Sequence, residues 1–352
     1  MTRMGTALAA VWLVAAAAAP WLASHDPQTR QAGREYAPPT RVRMSAAALY
    51  FHPVHLVSAL ERRFEEDHSR RVNVVMFADG RLFGSADASE PLLLLGADGQ
   101  GRDVFSRLVT GARTSLALAL VSAALATCIG LAVGLVGGYA GGRVDSALTR
   151  ASEVVLVLPA LYVVVALRAA LPLVLSPSLV FLLLSLIFAF VAWPVAARGV
   201  RAIVASERTQ PYVEAALAAG ARRRRVLSKH LLPAARGHLA TQFALLVPGC
   251  LLFEGALSFA GLGFPEHVPT WGTMLQEAAN VGALGSAPWL LSPALAIVSV
   301  VLAINLIVEA SRGPAAHGVT AAATASVHPP SPRAAGPAEE LAGPLRGTRP
   351  PC

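Results

Sequence analysis

Long apolar runs broken by short polar stretches set the pattern of this chain. A helix needs about 18 consecutive apolar residues or more to cross a bilayer. Six stretches are read as such spans: 1–24, 115–138, 153–175, 179–197, 239–261 and 288–307. The first has Arg3, an apolar run from Ala7 to Ala19, and then Pro20-Trp21. A cleaved leader shares the charged start and short apolar centre. Pro20 directly after the alanines disfavours cleavage and Trp21 suits an interfacial anchor, so a retained span is expected. The second is rich in Ala and Gly, which let helices approach closely. Ser176-Pro177-Ser178 closes the third, and Trp193-Pro194 predicts a kink in the fourth.

The pattern breaks at residues 25–95, which predict a small folded insert outside the membrane. Within it, Val54 to His68 carries Leu56, Leu60 and Phe64 at four-residue spacing and predicts an amphipathic helix. Val72 to Phe77, followed by Asp79-Gly80, predicts a strand entering a tight hairpin turn. Glycines 96, 99 and 101 then lead to Asp103, placed to start an interfacial helix with Val104, Leu108 and Ala112 on one face.

A second break covers residues 198–236. Pro211 suits the first turn of a helix, in which Val213, Ala216 and Leu217 share a face and Glu214 meets the positive end of the dipole. Gly220 supplies the positive φ that ends a helix. Arg222 to Lys229 resumes it, and Pro233 is expected to stop it. Residues 262–287 read as a Gly/Pro-rich connection. Residues 313–352 have too few large apolar groups to fold and read as a disordered cytoplasmic tail.

Composition agrees with a membrane protein. Of 352 residues 55% are hydrophobic and only 14% charged, against about a quarter charged in soluble domains. The net charge of +8 does not point to nucleic acid, because residues 25–107 hold eleven basic and eleven acidic residues and the excess lies beside the spans. Arg3, Arg143, Arg150, nine basic residues in 198–236 and Arg312 fall on one side, which is cytoplasmic by the positive-inside rule. Six spans put both termini there. The expected fold is thus an all-α integral membrane protein of six transmembrane helices, with an extracytoplasmic insert after helix 1 and a core over 96–312.

Candidate chemistry is sparse. Cys128, Cys250 and Cys352 form no metal or redox motif, and His52, His55 and His68 read as surface histidines. The only lysine, Lys229, is followed by His230 and has no glycine pattern before it, so there is no phosphate-binding P-loop. Ser258 has no histidine nearby in sequence and reads as a packing residue. A carboxylate at mid-span is costly. Glu254 therefore either faces a translocation path or holds an interhelical hydrogen-bond network. Arg168, near the outer end of the third span, can snorkel, and Glu153 and Glu309 lie at the cytoplasmic boundary. Two readings from other classes stay open on these residues: a secondary transporter coupled through Glu254, and a membrane-anchored interaction module built on 25–95.

Glu214-Ala215-Ala216, Gly220 and Leu232-Pro233 together resemble the EAA loop of binding-protein-dependent ABC importer permeases. His230 stands where that pattern often has isoleucine. Gly101-Arg-Asp-Val-Phe-Ser-Arg107, Glu254-Gly-Ala-Leu-Ser-Phe-Ala-Gly-Leu-Gly263 and Pro269-Thr-Trp-Gly-Thr-Met-Leu275 are similar to the dipeptide/oligopeptide/nickel branch, and to the second permease of its pair. The likeness spans about 93–312; Ala97 replaces a common hydroxyl residue, and the segment 25–92 is longer than in many relatives. The resemblance implies a coupling helix in which Glu214, Ala215, Ala216, Leu217 and Gly220 dock on an ATPase. It implies a second permease subunit, two ATP-binding subunits that hold ATP and Mg, a solute-binding protein, and the bacterial inner membrane. This chain would carry no cofactor and no catalytic residue. The substrate would be peptides, nickel or another small solute.

Overall fold

The computed structural model describes residues 2–45, 48–58, 62–78, 80–172, 174–279, 282 and 285–311. The expected tail 313–352 and the boundary residue Arg312 lie outside them. The described chain is mostly helical, with one β-rich segment.

Its N-terminal apolar segment is helix α1 (Thr2–Ala17) followed by the short α2 (Ala19–Leu22), with Pro20 in the first turn of α2. The long helices are α3 (Val104–Ala140), α6 (Pro177–Glu207), α9 (Leu232–Phe259) and α11 (Ser292–Ser311), the last entered through a 3-10 turn at Pro288–Leu291. Among the described residues four helical stretches are long and apolar enough to cross a membrane, Arg223–Phe259 counting as one. A fifth candidate is the pair α4 (Gly142–Val157) and α5 (Ala160–Ala169), and α1 is a shorter apolar helix.

Prolines account for two of the departures from the expected elements. The segment 153–175 contains a bend of 85° between α4 and α5. Pro159 supplies no N–H and holds Leu158 extended at ψ 133, as the residue before proline prefers. Pro233 does not stop the helix as expected. The turn ahead of it, Leu227–Leu231, widens into a π-helical one in which the Leu232 N–H reaches back to the Leu227 carbonyl, and the helix continues. Such widened turns accommodate a residue that cannot donate. The expected interfacial helix and second span are one unbroken α3, and α6 runs on through Pro194. Arg168 is buried, and its guanidinium reaches four residues further along the chain to donate to the Pro172 carbonyl.

A ridge of glycines sets the tightest packing. A Cβ at Gly130, Gly134 or Gly138 of α3 would lie 2.8, 2.7 or 2.8 Å from the carbonyls of Trp193, Ala197 and Arg201 on α6. The contacts advance together by four residues, so the two helices run parallel. α1 runs antiparallel to α11: Gly5 abuts Ala303 and Leu306, while Trp12 donates to Ser299 Oγ at 2.6 Å. Overpacking such a contact costs about 1–3 kcal/mol. Gly134→Ala is therefore expected to lower the thermal midpoint of the detergent-solubilised protein. Gly237 of α9, with nothing within 4 Å of an added Cβ, is the control. There the same substitution should raise the midpoint slightly, by the helix preference of about 0.5–1 kcal/mol for Ala over Gly.

Between α2 and α3, strands β1 (Arg43–Met44), β2 (Leu49–Phe51), β5 (Val72–Ala78) and β6 (Arg81–Ser85) form one antiparallel sheet in the order β1-β2-β5-β6. β3 (Val54–Ser58) and β4 (Arg63–Glu66) form a second, with Leu56 opposite Phe64. The amphipathic helix expected over Val54–His68 is this hairpin. Leu56 and Phe64 lie directly opposite each other on the two strands, and cross-strand partners project to the same face of a sheet, so they share a face without lying on one helix. Leu60 lies outside the described residues. The strand expected at Val72–Phe77 is β5, and Gly80 in the turn after it has φ +74.

Candidate functional site: an exposed short helix and a buried carboxylate

The polar stretch after α6 is built outward from an apolar anchor. α7 (Pro211–Ala218) has Pro211 in its first turn. Its inward residue is Val213, packed in a buried cluster with Val200 and Val204 of α6, Val226, Leu231 and Ala235. Glu214, Ala215 and Leu217 are exposed and Ala216 is half-buried; Leu217 keeps 41% of its surface free. The helix ends at Gly220, whose φ is +80. The Ala221 N–H returns to the Ala216 carbonyl at 3.0 Å and the Gly220 N–H to that of Leu217 at 2.9 Å. This is the Schellman closure, in which the residue after the cap adopts left-handed backbone. A Cβ at Gly220 would meet nothing within 4 Å, so the requirement for glycine is conformational.

Side chains beyond the anticipated motif fix where α7 stands. Arg208 donates to the Tyr139 carbonyl at the end of α3 at 3.1 Å, and Arg201 of α6 pairs with Asp145 of α4. Tyr212 donates to Glu207, which holds the phenol pKa above its ordinary value. α8 (Arg223–Val226) then begins, and Arg222, Arg223, Arg224 and Arg225 are exposed, with no carboxylate in ion-pair range among the described residues. Glu214, Ala215 and the arginines thus share one solvent-facing end of the bundle.

Glu254 lies at the other end of α9 and is 1% exposed. Its Oε1 accepts from Thr270 Oγ1 at 2.6 Å and Ser258 Oγ at 3.1 Å. Its Oε2 accepts from Ser115 Oγ at 3.1 Å and the Gly272 N–H at 3.2 Å. A carboxylate offers about four acceptor sites, and this chain's own donors fill them. Ser115 belongs to α3, Ser258 to α9, and Thr270 caps α10 (Trp271–Ala278) with a capping box closed by Thr273. Trp271 donates its N–H to Ser115 Oγ and its indole N–H to the Leu108 carbonyl, at 3.0 and 3.1 Å. Glu254 therefore ties three helices together. The stretch 262–287, expected as a plain connection, contains α10. Thr270 was legible as an N-cap residue, whereas Thr273 stands where the capping-box signature has Glu or Gln, so the return bond was not.

The charged residues of the approach to α3 form a second buried group. Arg102 pairs with Asp98 at 2.8 Å and with Glu277 of α10, and Arg107 pairs with Glu277 at 2.9 Å and Asp98 at 3.5 Å. Burial pushes the Glu277 carboxyl up to about 7, against the pull of Arg107. Asp103 caps α3 by accepting from the Phe105 and Ser106 N–H groups and from Ser24 Oγ, which fastens the end of α2 to the start of α3.

Residues 126–313 match the family described as the binding-protein-dependent transport system inner membrane component. The chain belongs to that family and is a multi-pass membrane protein. It is 37% identical over 217 residues to the probable peptide ABC transporter permease protein y4tQ of Sinorhizobium fredii, a match covering 62% of this chain and 72% of that protein. It is 35% identical over 227 residues to the di/tripeptide transport system permease protein DppC of Pseudomonas aeruginosa, covering 64% and 72%. To the oligopeptide transport system permease protein OppC of Haemophilus influenzae it is 33% identical over 235 residues, covering 66% and 73%. Among solved structures, the inward-facing MetNI methionine ABC transporter aligns with a TM-score of 0.43 at 17% identity, over 58% of this chain and 96% of that one.

Proposed function

We propose that this chain is one of two membrane subunits of an ATP-driven importer of peptides, which a solute-binding protein delivers at the outer face. The observation that carries the proposal is α7: a short helix held by Val213 and closed by Gly220, displaying Glu214 and Ala215 at a free end of the bundle. Glu214, Ala215, Ala216, Leu217 and Gly220 form the surface on which an ATP-binding subunit docks. Two such subunits bind ATP and Mg, and this chain contributes no nucleotide site, cofactor or catalytic group. The names of the relatives support peptides over nickel as the substrate.

Six crossings are our reading of the topology, with α1–α2 as the first and the bent α4–α5 pair as the third. Antiparallel α1 and α11 and parallel α3 and α6 support it, since spans one and six must oppose and spans two and four must agree. The start of α1 and the end of α11 both point toward the α7 end, which supports termini on the cytoplasmic side of the inner membrane. Closing of the ATPases moves α7, and through Val213 it moves α6 and α9, shifting the population between inward- and outward-open states.

The test is uptake by proteoliposomes holding this chain with its partner permease and ATPases, supplied with the binding protein. Labelled di- to pentapeptides should accumulate with ATP inside and continue to do so after a protonophore collapses the proton gradient. Uptake that stops with the gradient while ATP is constant would overturn the proposal in favour of a secondary transporter.

A further inference from the structure

The β5–β6 hairpin is polarised along its length. Its base end carries Asp67, Arg70, Asp87 and Ser89, linked by hydrogen bonds and an Arg70–Asp87 ion pair. Its tip carries Met76 and Phe77, exposed by 50% and 75%. Phe77 has φ +59, a region that a bulky residue seldom occupies.

The tip is also fixed in place. Arg81 donates to the Ser24 carbonyl at 2.9 Å, just past the end of α2. Ala18 and Trp21 of the first apolar segment line a single apolar concavity with Phe77, Gly80, Arg81 and Leu82 of the hairpin. Trp21 is itself 59% exposed. The exposed aromatics therefore continue outward from the end of a membrane helix, where Trp anchors settle at the lipid–water boundary. Arg81 beside them has the reach to keep its charge at headgroup level.

We infer that the β5–β6 tip, through Phe77 and Met76 beside Trp21, inserts into the outer-leaflet boundary between headgroups and acyl chains. The occupant of the apolar concavity is lipid, and the sheet is held down on the membrane surface by its tip. The inference rests on α1–α2 being the first crossing.

Quenching by brominated phosphatidylcholine tests it in the full complex, with Cys128, Cys250 and Cys352 replaced. Bimane is placed in turn at Phe77→Cys, at Ala88→Cys beyond the polar base, and at Leu13→Cys on the exposed face of α1. Quenching at 77 several-fold stronger than at 88, together with strong quenching at 13, is expected. Strong quenching at 13 with 77 no better than 88 overturns the tip insertion alone. Weak quenching at both 13 and 77 overturns the first crossing and the insertion with it. Protection of 77 from a water-soluble quencher only after the binding protein is added would overturn lipid as the occupant.

Discussion

Glu214→Arg is expected to abolish peptide uptake and substrate-stimulated ATP hydrolysis while leaving the chain in the membrane at normal amount. Glu214 is exposed, and no partner for its carboxylate stands among the described residues, so the reversal costs the fold only its favourable place in the first turn of α7, about 0.3–1 kcal/mol. Its effect falls on whatever meets α7 from outside, where leaving a buried charge unpaired costs roughly 2–5 kcal/mol, enough to empty a docking site. Gly220→Leu should reach the same end by another route. Its φ of +80 costs an L-residue about 1–2 kcal/mol, and the Schellman closure that aims the exposed face would open. Because a Cβ there meets nothing, Gly220→Asn should retain much of the uptake, since Asn tolerates left-handed backbone. Immunoblots of membranes separate loss of function from loss of protein. Normal transport in Glu214→Arg would remove α7 as the docking surface.

What could be read in advance follows from how local each signal is. Gly220 ends α7 through its own backbone freedom, so its role was written in one residue and its neighbours. The Ala/Gly content of the second apolar run announced close approach, although only three dimensions show that Gly130, Gly134 and Gly138 meet the carbonyls of one helix. Signals that depend on the rest of the chain were not legible. Leu56 and Phe64 sit at helix-like spacing, yet they meet as partners across a hairpin, which only the turn between the two strands makes possible. Pro233 carried a stop signal that a widened turn absorbs. Glu277 looks like any surface glutamate until α10 sets it against Arg102 and Arg107, 175 and 170 residues away in the chain. The donors around Glu254 come from three helices, so its surroundings could not be read from its position in one span.

The substitution series at Glu254 is where those alternatives make opposite predictions. Glu254→Leu leaves Ser115, Ser258, Thr270 and the Gly272 N–H facing a hydrocarbon surface. An unsatisfied buried donor costs about 1–3 kcal/mol, and the hydroxyls recover part by turning to carbonyls while the Gly272 amide cannot turn. A drop of several kcal/mol is expected, read as a much lower thermal midpoint and as loss of the chain from membranes. Glu254→Gln should be mild. Its oxygen can serve Ser115 and Gly272, and its amide can face Thr270 and Ser258, whose hydroxyls can accept as well as donate. Stability and uptake should therefore fall together in the order Glu, Gln, Leu. A carboxylate that carries a proton or cation would behave otherwise: Gln would abolish uptake with the midpoint unchanged. Measuring both quantities on the Gln variant decides whether Glu254 joins the helices or takes part in transport.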